Sequence, residues 1–210
     1  MLLTRNIVIK GDQTGNDWHG QFLTFDSTVL DSAGKPTEYK GQTVLKNVEF
    51  YKMGQLNNFK AAIRFENSNQ ADDSTTKSEI ENVAIHESVG WGVNINLSSN
   101  ISLKNVDVFD VTQIGVSFDQ TTSVSADSVN VFGVRQRELA ILDKITDREC
   151  CFAMCTYTKD AKCFKTSVTN SIVAGCPFAG FLAPGYSCND TIGESKSSVF
   201  KNNVAHSVAG

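Results

Sequence analysis

The sequence lacks the features that mark several large classes of protein. No run in its 210 residues approaches 18 consecutive apolar residues, so neither a membrane-spanning segment nor direct membrane insertion is predicted. Acidic residues outnumber basic ones by 23 to 19, and a chain without a basic excess is a poor partner for nucleic acid. Phosphate-binding glycine loops and Ser/His/Asp patterns are also absent. What remains is a chain of the right length for one domain with a sizeable core.

Cysteine is absent from the first two-thirds of the chain. The later cysteines form no Cys-x-x-Cys pair and have no histidine ligand nearby, so we predict neither a metal site nor a cofactor. An even number of cysteines in a loop-rich stretch favours disulfides and an oxidising compartment. We expect disulfides to tie down residues 150–163, and Cys176 to pair with Cys188. The predicted disulfide cysteines are Cys150, Cys151, Cys155, Cys163, Cys176 and Cys188.

Three sequons also indicate the secretory pathway. Asn96, Asn100 and Asn189 each begin an Asn-x-Ser/Thr triplet, the acceptor for N-glycosylation. Together with the cysteines they predict an extracellular or cell-surface location. The opening residues are not a signal peptide, because Arg5 and Asn6 interrupt an apolar run that is already too short. The simplest expectation is that the chain is a piece of a longer exported protein.

A repeat of 23 residues organises the sequence. Asn82 and Asn105 each precede alternating apolar residues, and ten residues later come Gly92 and Gly115. Further copies of the asparagine fall at 47, 170 and 203, with Ser128 in the same position, and a further glycine falls at 180. The alternation within each unit has a period of two, which is typical of strands and unlike helical repeats.

This pattern predicts an all-β fold, a right-handed parallel β-helix of about six or seven turns. One domain is expected over 1–210, with a Cys-rich loop inserted at 133–166. Equivalent residues of successive turns should stack in columns about 4.8 Å apart. The asparagines are expected at a bend, with left-handed φ and amides bonded to one another, and the glycines at the next bend.

One face of the predicted solenoid collects polar side chains. Glu66, Asn96 and Asp119 share a column beside Arg64 and its neighbours, and Arg64 can either clamp an anionic sugar or pair with Glu66. Trp18 and Trp91 can stack on a sugar, and Trp91, which lies between Gly90 and Gly92, can instead serve as a structural plug. A glycan on Asn96 would obstruct this face. The candidate ligand-binding residues are Arg64, Glu66, Trp91 and Asp119.

A second pair of carboxylates shares a column on the opposite strand. Glu87 and Asp110 occupy equivalent positions in successive turns, next to the column of His86. Two carboxylates that close can bind a cation, and otherwise they splay apart into solvent. We favour the second arrangement and predict no metal ligands here.

Several stretches resemble one group of extracellular proteins. They read LLTRNIVIKGD at 2–12, VEFYKMGQ at 48–55 and AAIRF at 61–65. They are similar to the G8-domain and β-helix-repeat proteins, which include the fibrocystin-like receptors and the cell-migration-inducing hyaluronan-depolymerising proteins. NNVAHSVAG at 202–210 is closer to the fibrocystin-like branch. That branch implies a large glycoprotein of cilia and cell surfaces.

The resemblance does not extend to hyaluronidase activity. The hyaluronan-active branch carries a His-Phe-His element where this chain has Arg64-Phe65-Glu66, so no catalytic residue is predicted. We expect a non-enzymatic extracellular glycoprotein module with a structural, adhesion or receptor role. The alternative is a polysaccharide-binding or polysaccharide-cleaving β-helix enzyme that uses the face of Arg64, Glu66 and Asp119. Expected partners are other segments of a parent chain or stacked subunits, and glycans.

Overall fold

A computed structural model describes residues 5–11, 18–56, 59–70, 77–136, 149–155, 163–183 and 198–209. Short runs of β-branched and aromatic residues form strands between polar bends. In chain order the strands are β1 Ile7–Lys10, β2 Phe22–Phe25, β3 Ser27–Leu30, β4 Pro36–Tyr39, β5 Val44–Lys46, β6 Val48–Tyr51, β7 Ile63–Glu66, β8 Ser78–His86, β9 Val93–Asn96, β10 Ser99–Phe109, β11 Ile114–Asp119, β12 Thr122–Phe132, β13 Cys150–Met154, β14 Ser167–Thr169, β15 Ile172–Cys176, β16 Ala179–Leu182, β17 Val199–Lys201 and β18 Val204–Val208.

These strands build two parallel sheets and one hairpin. The first sheet has the order β1-β6-β8-β10-β12-β14-β17, with β5, β15 and β18 paired alongside. The second sheet has the order β16-β13-β11-β9-β7-β2. β3 and β4 form an antiparallel hairpin. Because the chain returns to the same two sheets turn after turn, the prediction of an all-β, parallel-strand fold resembling a β-helix is confirmed.

The core lies between the two sheets. Val83, Val106 and Val129 align in one column of the first sheet, and all three are fully buried. Phe118 and Phe152 of the second sheet belong to the same core cluster as these valines. The ring centroids of the two phenylalanines lie 5.3 Å apart. The two-residue alternation of the sequence therefore directs one face of each strand inward, as the hydrophobic pattern predicts.

The asparagine bend forms as predicted, with one correction. Asn47, Asn82, Asn105 and Asn170 have φ between 52° and 57°. The Asn82 amide donates to Asn47, and Asn105 Nδ2 donates to Asn82 Oδ1 at 3.1 Å. The predicted Asn203 is wrong: the parallel register pairs Thr169 with Lys201, which brings Asn202 into line with Asn170. Asn202 has φ 57° and donates to Asn170 Oδ1 at 3.1 Å.

The glycine column exists for a different reason from the predicted bend. Gly92 and Gly115 are not among the glycines with positive φ. A Cβ on Gly92 would lie 2.5 Å from the Gly115 carbonyl oxygen and 2.7 Å from Val108. A Cβ on Gly115 would lie 2.3 Å from Val131. Side chains of the first sheet fill the space beside these positions, so only glycine fits.

The predicted Cys-rich loop at 133–166 contains a regular strand. β13 pairs in parallel with β11 on one side and β16 on the other, and all five of its residues are buried. Its Cys151 and Phe152 belong to the main core cluster. The segment does not follow the repeat spacing, but its apolar residues supply the second sheet with a strand that the core requires.

The cysteine pairing also differs from prediction. Cys155 pairs with Cys163, within the expected range, whereas Cys176 pairs with Cys151 rather than with Cys188. Cys188 lies outside the described residues. Cys150 keeps a free thiol, because it packs in a second apolar cluster with Trp91 and Ile114 while its neighbour Cys151 packs in the main core. Burial raises the pKa of the Cys150 thiol to about 12.

Candidate functional site: a polar cleft on the second sheet

A cleft of about 260 Å³ lies on the outer face of the second sheet. It crosses β7, β9 and β11, whose register aligns Arg64 with Asn94 and Ser117, and Glu66 with Asn96 and Asp119. These are the two columns that the repeat spacing predicted. The four predicted ligand-binding residues, Arg64, Glu66, Trp91 and Asp119, all line this cleft. Its other lining residues are Phe59, Asn94, Asn96, Ser117 and Gln120.

An ion pair occupies one side of the cleft. Arg64 Nη2 lies 2.8 Å from Glu66 Oε2, and Arg64 Nε donates to the same oxygen at 3.2 Å. Glu66 Oε1 accepts from Asn96 Nδ2 at 2.8 Å. Of the two roles left open for Arg64, the structure therefore shows the pairing with Glu66. The charge of the guanidinium is balanced within the protein.

The floor of the cleft is polar and almost inaccessible to water. Asn94, Ser117 and Asp119 point outward from the sheet, yet they are only 3%, 1% and 4% exposed. Asn94 Nδ2 donates to the Phe59 carbonyl at 3.1 Å, which ties the loop before β7 to the floor. Buried polar groups at outward positions are unusual, because burial of a polar group without a partner costs free energy. They mark the cleft as a place where hydrogen-bonding groups converge.

Aromatic residues form one wall. Trp91 is 2% exposed, donates from Nε1 to Gln113 Oε1 at 3.2 Å and packs edge-on against Phe59 with centroids 5.4 Å apart. Trp91 therefore serves as the plug beneath the wall, and the half-exposed Phe59 presents the accessible ring. Trp18 lies apart from the cleft, 67% exposed, with Lys60 Nζ over its ring. Phe59 is not among the residues predicted from the sequence, although it is an aromatic residue just before a predicted strand.

Two further depressions continue from the cleft toward β2 and the hairpin. The first, of about 230 Å³, shares Arg64 and Glu66 with the central cleft and adds Leu23, Phe25, Asp26 and Asn67. The second, of about 200 Å³, shares Asp26 and Asn67 and adds residues of β3 and β4, among them Glu38 and Tyr39. Because neighbouring depressions share lining residues, the three lie in a row across the strands of the second sheet, and we call this row the groove.

Asp26 anchors the junction between these depressions. Its Oδ1 accepts the Gly41 N–H at 2.8 Å, and its Oδ2 accepts the Asn69 N–H and the Lys40 ammonium at 3.0 Å each. Burial acts to raise the pKa of Asp26, but these hydrogen bonds and the Lys40 charge outweigh it and hold the pKa below its usual value. The charge of Lys40 is thus also balanced within the protein.

A second set of polar side chains lies on the outer face of the first sheet. We call Arg5, Glu49, His86, Asp107 and Asn130 the Arg5 cluster. Arg5 Nη2 lies 3.2 Å from Asp107 Oδ2, its Nε donates to the Asn82 carbonyl at 2.9 Å, and its backbone N–H donates to Glu49 Oε2 at 3.3 Å. Asn130 donates to Asp107, and His86 bonds Glu49 at 3.1 Å. The two side chains of the Arg5–Asp107 pair are 6% and 9% exposed.

The carboxylates Glu87 and Asp110 point to separate partners. Both adopt left-handed φ at one bend. Glu87 lies near Lys52 and His86, at 4.0 and 3.7 Å, while Asp110 pairs with Arg135 Nε at 2.7 Å. Within the described part of the chain no group of three or more His, Cys, Asp or Glu side chains can hold a metal ion.

The sequons fall in different surroundings. Asn96 lies in the cleft and uses Nδ2, the atom that would carry a glycan, to bond Glu66. Asn100 lies at the beginning of β10 with φ 58°. Asn189 lies outside the described residues.

The described residues contain no helix long and apolar enough to cross a membrane.

Comparison with protein-family models, with curated proteins and with solved structures finds no significant match to this chain. The resemblance to fibrocystin-like proteins therefore stays a prediction, and the site must be interpreted from its own geometry.

Proposed function

We propose that this chain is a non-enzymatic, glycan-binding module of an extracellular or cell-surface glycoprotein of the fibrocystin-like type. The observation that carries the proposal is the central cleft, where amide, hydroxyl and carboxylate side chains converge beside an exposed aromatic ring. Sugars present hydroxyl groups along their edges and apolar faces above and below the ring, and such a combination of groups suits both. The two disulfides fit the oxidising compartment that this role requires.

We favour binding over cleavage because both carboxylate oxygens of Glu66 already have hydrogen-bond partners. Glycoside hydrolysis needs one carboxyl group to donate a proton and another to act as base or nucleophile. Both Glu66 oxygens already accept hydrogen bonds within the protein, Oε2 from Arg64 and Oε1 from Asn96, so this carboxylate is held by its neighbours and not left open to act on a substrate. Glu66 and Asp119 could otherwise form a catalytic pair, so cleavage is the outcome to test against.

A binding experiment with a matched pair of variants tests the proposal. Isothermal titration of neutral oligosaccharides (chito-, cello- and xylo-oligosaccharides) should show binding to the unmodified chain. Ser117→Val, on the cleft floor, should weaken it about tenfold or more, since the loss of one hydrogen bond and the filling of the floor each cost about 1 kcal/mol. Ser125→Val is the control, because Ser125 lies on the outer face of the first sheet, away from the cleft.

Even where binding is observed, two results would overturn the proposal. One is shortening of hyaluronan, pectin or chondroitin chains by the protein, abolished by Glu66→Gln, which would establish an enzyme instead. The other is a glycan found on Asn96 by mass spectrometry of protein secreted from eukaryotic cells, because it would occupy the cleft. Absence of binding to every oligosaccharide would also contradict a glycan-binding role.

The finer architecture is part of the proposal. We infer a right-handed coil, because parallel crossover connections between strands of one sheet are right-handed in nearly all proteins.

We also propose that a second copy of the chain stacks on the turn of β17 and β18. There Phe200, in the inward column of the buried Val168, is 50% exposed. Sedimentation at rising concentration should show association that Phe200→Lys weakens, and a monomer at every concentration would contradict it.

A further inference from the structure

We propose that the site takes a linear, uncharged oligosaccharide that lies along the solenoid axis, from the central cleft across β2 to the β3–β4 hairpin. This inference rests on the proposed function and adds the length, direction and charge of the ligand. It follows from three properties of the groove: its continuity, its charge balance and its exposed aromatic rings.

The three depressions are continuous. Arg64 and Glu66 line both the central cleft and the next depression, and Asp26 and Asn67 line both that one and the depression at the hairpin. The groove crosses β11, β9, β7 and β2, which lie about 4.8 Å apart, so it runs about 14 Å before it reaches the hairpin. A single sugar would fill only part of that length, whereas an extended chain would contact every strand.

The charges that line the groove disfavour an acidic polymer. Arg64 is paired with Glu66 at 2.8 Å, and Lys40 with Asp26 at 3.0 Å. Asp119 adds an acidic side chain at one end, and Glu38 does so at the other. Among the described lining residues acidic groups therefore outnumber basic ones. A polysaccharide with a carboxylate on each repeat would have to enter against that excess, because opposite charge is needed for favourable steering.

Exposed apolar surface continues beyond the central cleft. Phe25 and Leu23 lie on β2 in the same two outward columns as Glu66 and Arg64, and they are 52% and 40% exposed. Tyr39 on the hairpin is 56% exposed. With Phe59 at the other end, aromatic rings occur at intervals along the groove. Their faces can pack against successive sugar rings, as aromatic side chains do with other apolar faces.

The experiment measures affinity against chain length. Chito-oligosaccharides of two to six units are titrated into the protein, and hyaluronan oligosaccharides of equal length serve as the acidic comparison. The hexamer should bind about tenfold or more tightly than the dimer, a difference of about 1.4 kcal/mol. Phe25→Ser should reduce that ratio to about twofold. Phe109→Ser is the matched control, since Phe109 is a half-exposed outward residue of the first sheet, and it should keep the full ratio.

The outcomes separate this inference from the proposed function. Equal affinity for dimer and hexamer, or an unchanged ratio in Phe25→Ser, would overturn the extended site and leave glycan binding standing. Tighter binding of the hyaluronan series would overturn the assignment to uncharged chains. If no oligosaccharide binds, the proposed function fails and this inference fails with it.

Discussion

Among the described residues, the outer faces of the two sheets carry polar groups at equivalent positions, but the two faces differ in what covers those groups. On the first sheet, Glu49 and Asp107 flank the small Ala84, and Arg5 contacts both carboxylates, Asp107 through its guanidinium and Glu49 through its backbone N–H. On the second sheet, Glu66 and Asp119 flank Asn96, and a cleft of about 260 Å³ remains above them. The chain itself therefore fills one face with its own side chain and leaves the other accessible.

The difference shows that one strand repeat can present polar columns in two different surroundings. Each face presents carboxylates two turns apart, because in-register stacking brings equivalent positions of successive turns into one column. On the first face the carboxylates stabilise the N-terminal segment through buried contacts. On the second face Arg64 comes from within the sheet, and its pair is about one-fifth exposed, so the groups stay within reach of a ligand.

The largest expected effect comes from the loss of Arg5, which is compared with the loss of Arg64. Arg5→Ala leaves the carboxylate of Asp107 buried without its charge partner, which should lower the free energy of unfolding by about 3 kcal/mol. Arg64→Ala breaks a partly exposed pair and should cost less than about 1 kcal/mol. Urea denaturation measures both. Equal losses would show that the two faces do not differ in the way described.

Removal of the Cys151–Cys176 disulfide should be nearly as costly. The bond closes a loop with a sequence separation of 25, and its loss by Cys151→Ala with Cys176→Ala should lower stability by about 3 kcal/mol. β13 borders β11, so this change also loosens the open face. Thermal unfolding with and without reductant measures the effect.

In the native protein Cys150 should resist alkylation at pH 8, and rapid labelling of its peptide would contradict its burial.

A smaller effect is expected at the asparagine bend, which lies within the strands of the first sheet. Asn105→Ala places at φ 52° a residue that has a Cβ but no side-chain amide to form a local hydrogen bond. The change should lower the free energy of unfolding by about 1–2 kcal/mol. Asn105→Gly retains the conformational freedom and loses only the amide bond to Asn82, so its cost should be smaller. Denaturation midpoints compare the two. If the glycine variant is the less stable one, the left-handed conformation is not what selects asparagine here.

The smallest effect concerns acid. The pKa of Asp26 is held below its ordinary value of 3.8 in the folded chain. Its contribution to stability is therefore present above that value and is lost as the pH falls through the lower, folded pKa. Asp26→Asn should reduce the decline in stability below about pH 4, measured by denaturation across a pH series. An unchanged pH profile would show that the Asp26 anchor at the open face adds no pH-dependent stability.

Much of the candidate site could be predicted because repeats fix register. Arg64, Glu66 and Asp119 were placed together from spacing alone, since equivalent residues of parallel turns must stack. The same logic failed at Asn203, because Asn202 and Asn203 both follow strand-like residues and only the pairing of Thr169 with Lys201 decides between them. Phe59 was missed because it lies in a connection between strands, where the repeat gives no position.

The sequence by itself determined the columns of this protein: the asparagine bend, the glycine positions and the polar face. A constant period in a stack of parallel strands converts spacing along the chain directly into distance in space. Only the tertiary structure decided which face is filled, which cysteines pair and where the groove ends. Those outcomes depend on Arg5, the strand at 150–154 and the hairpin, which lie outside the repeat. Their contacts are set by packing against distant turns, and no local pattern encodes them.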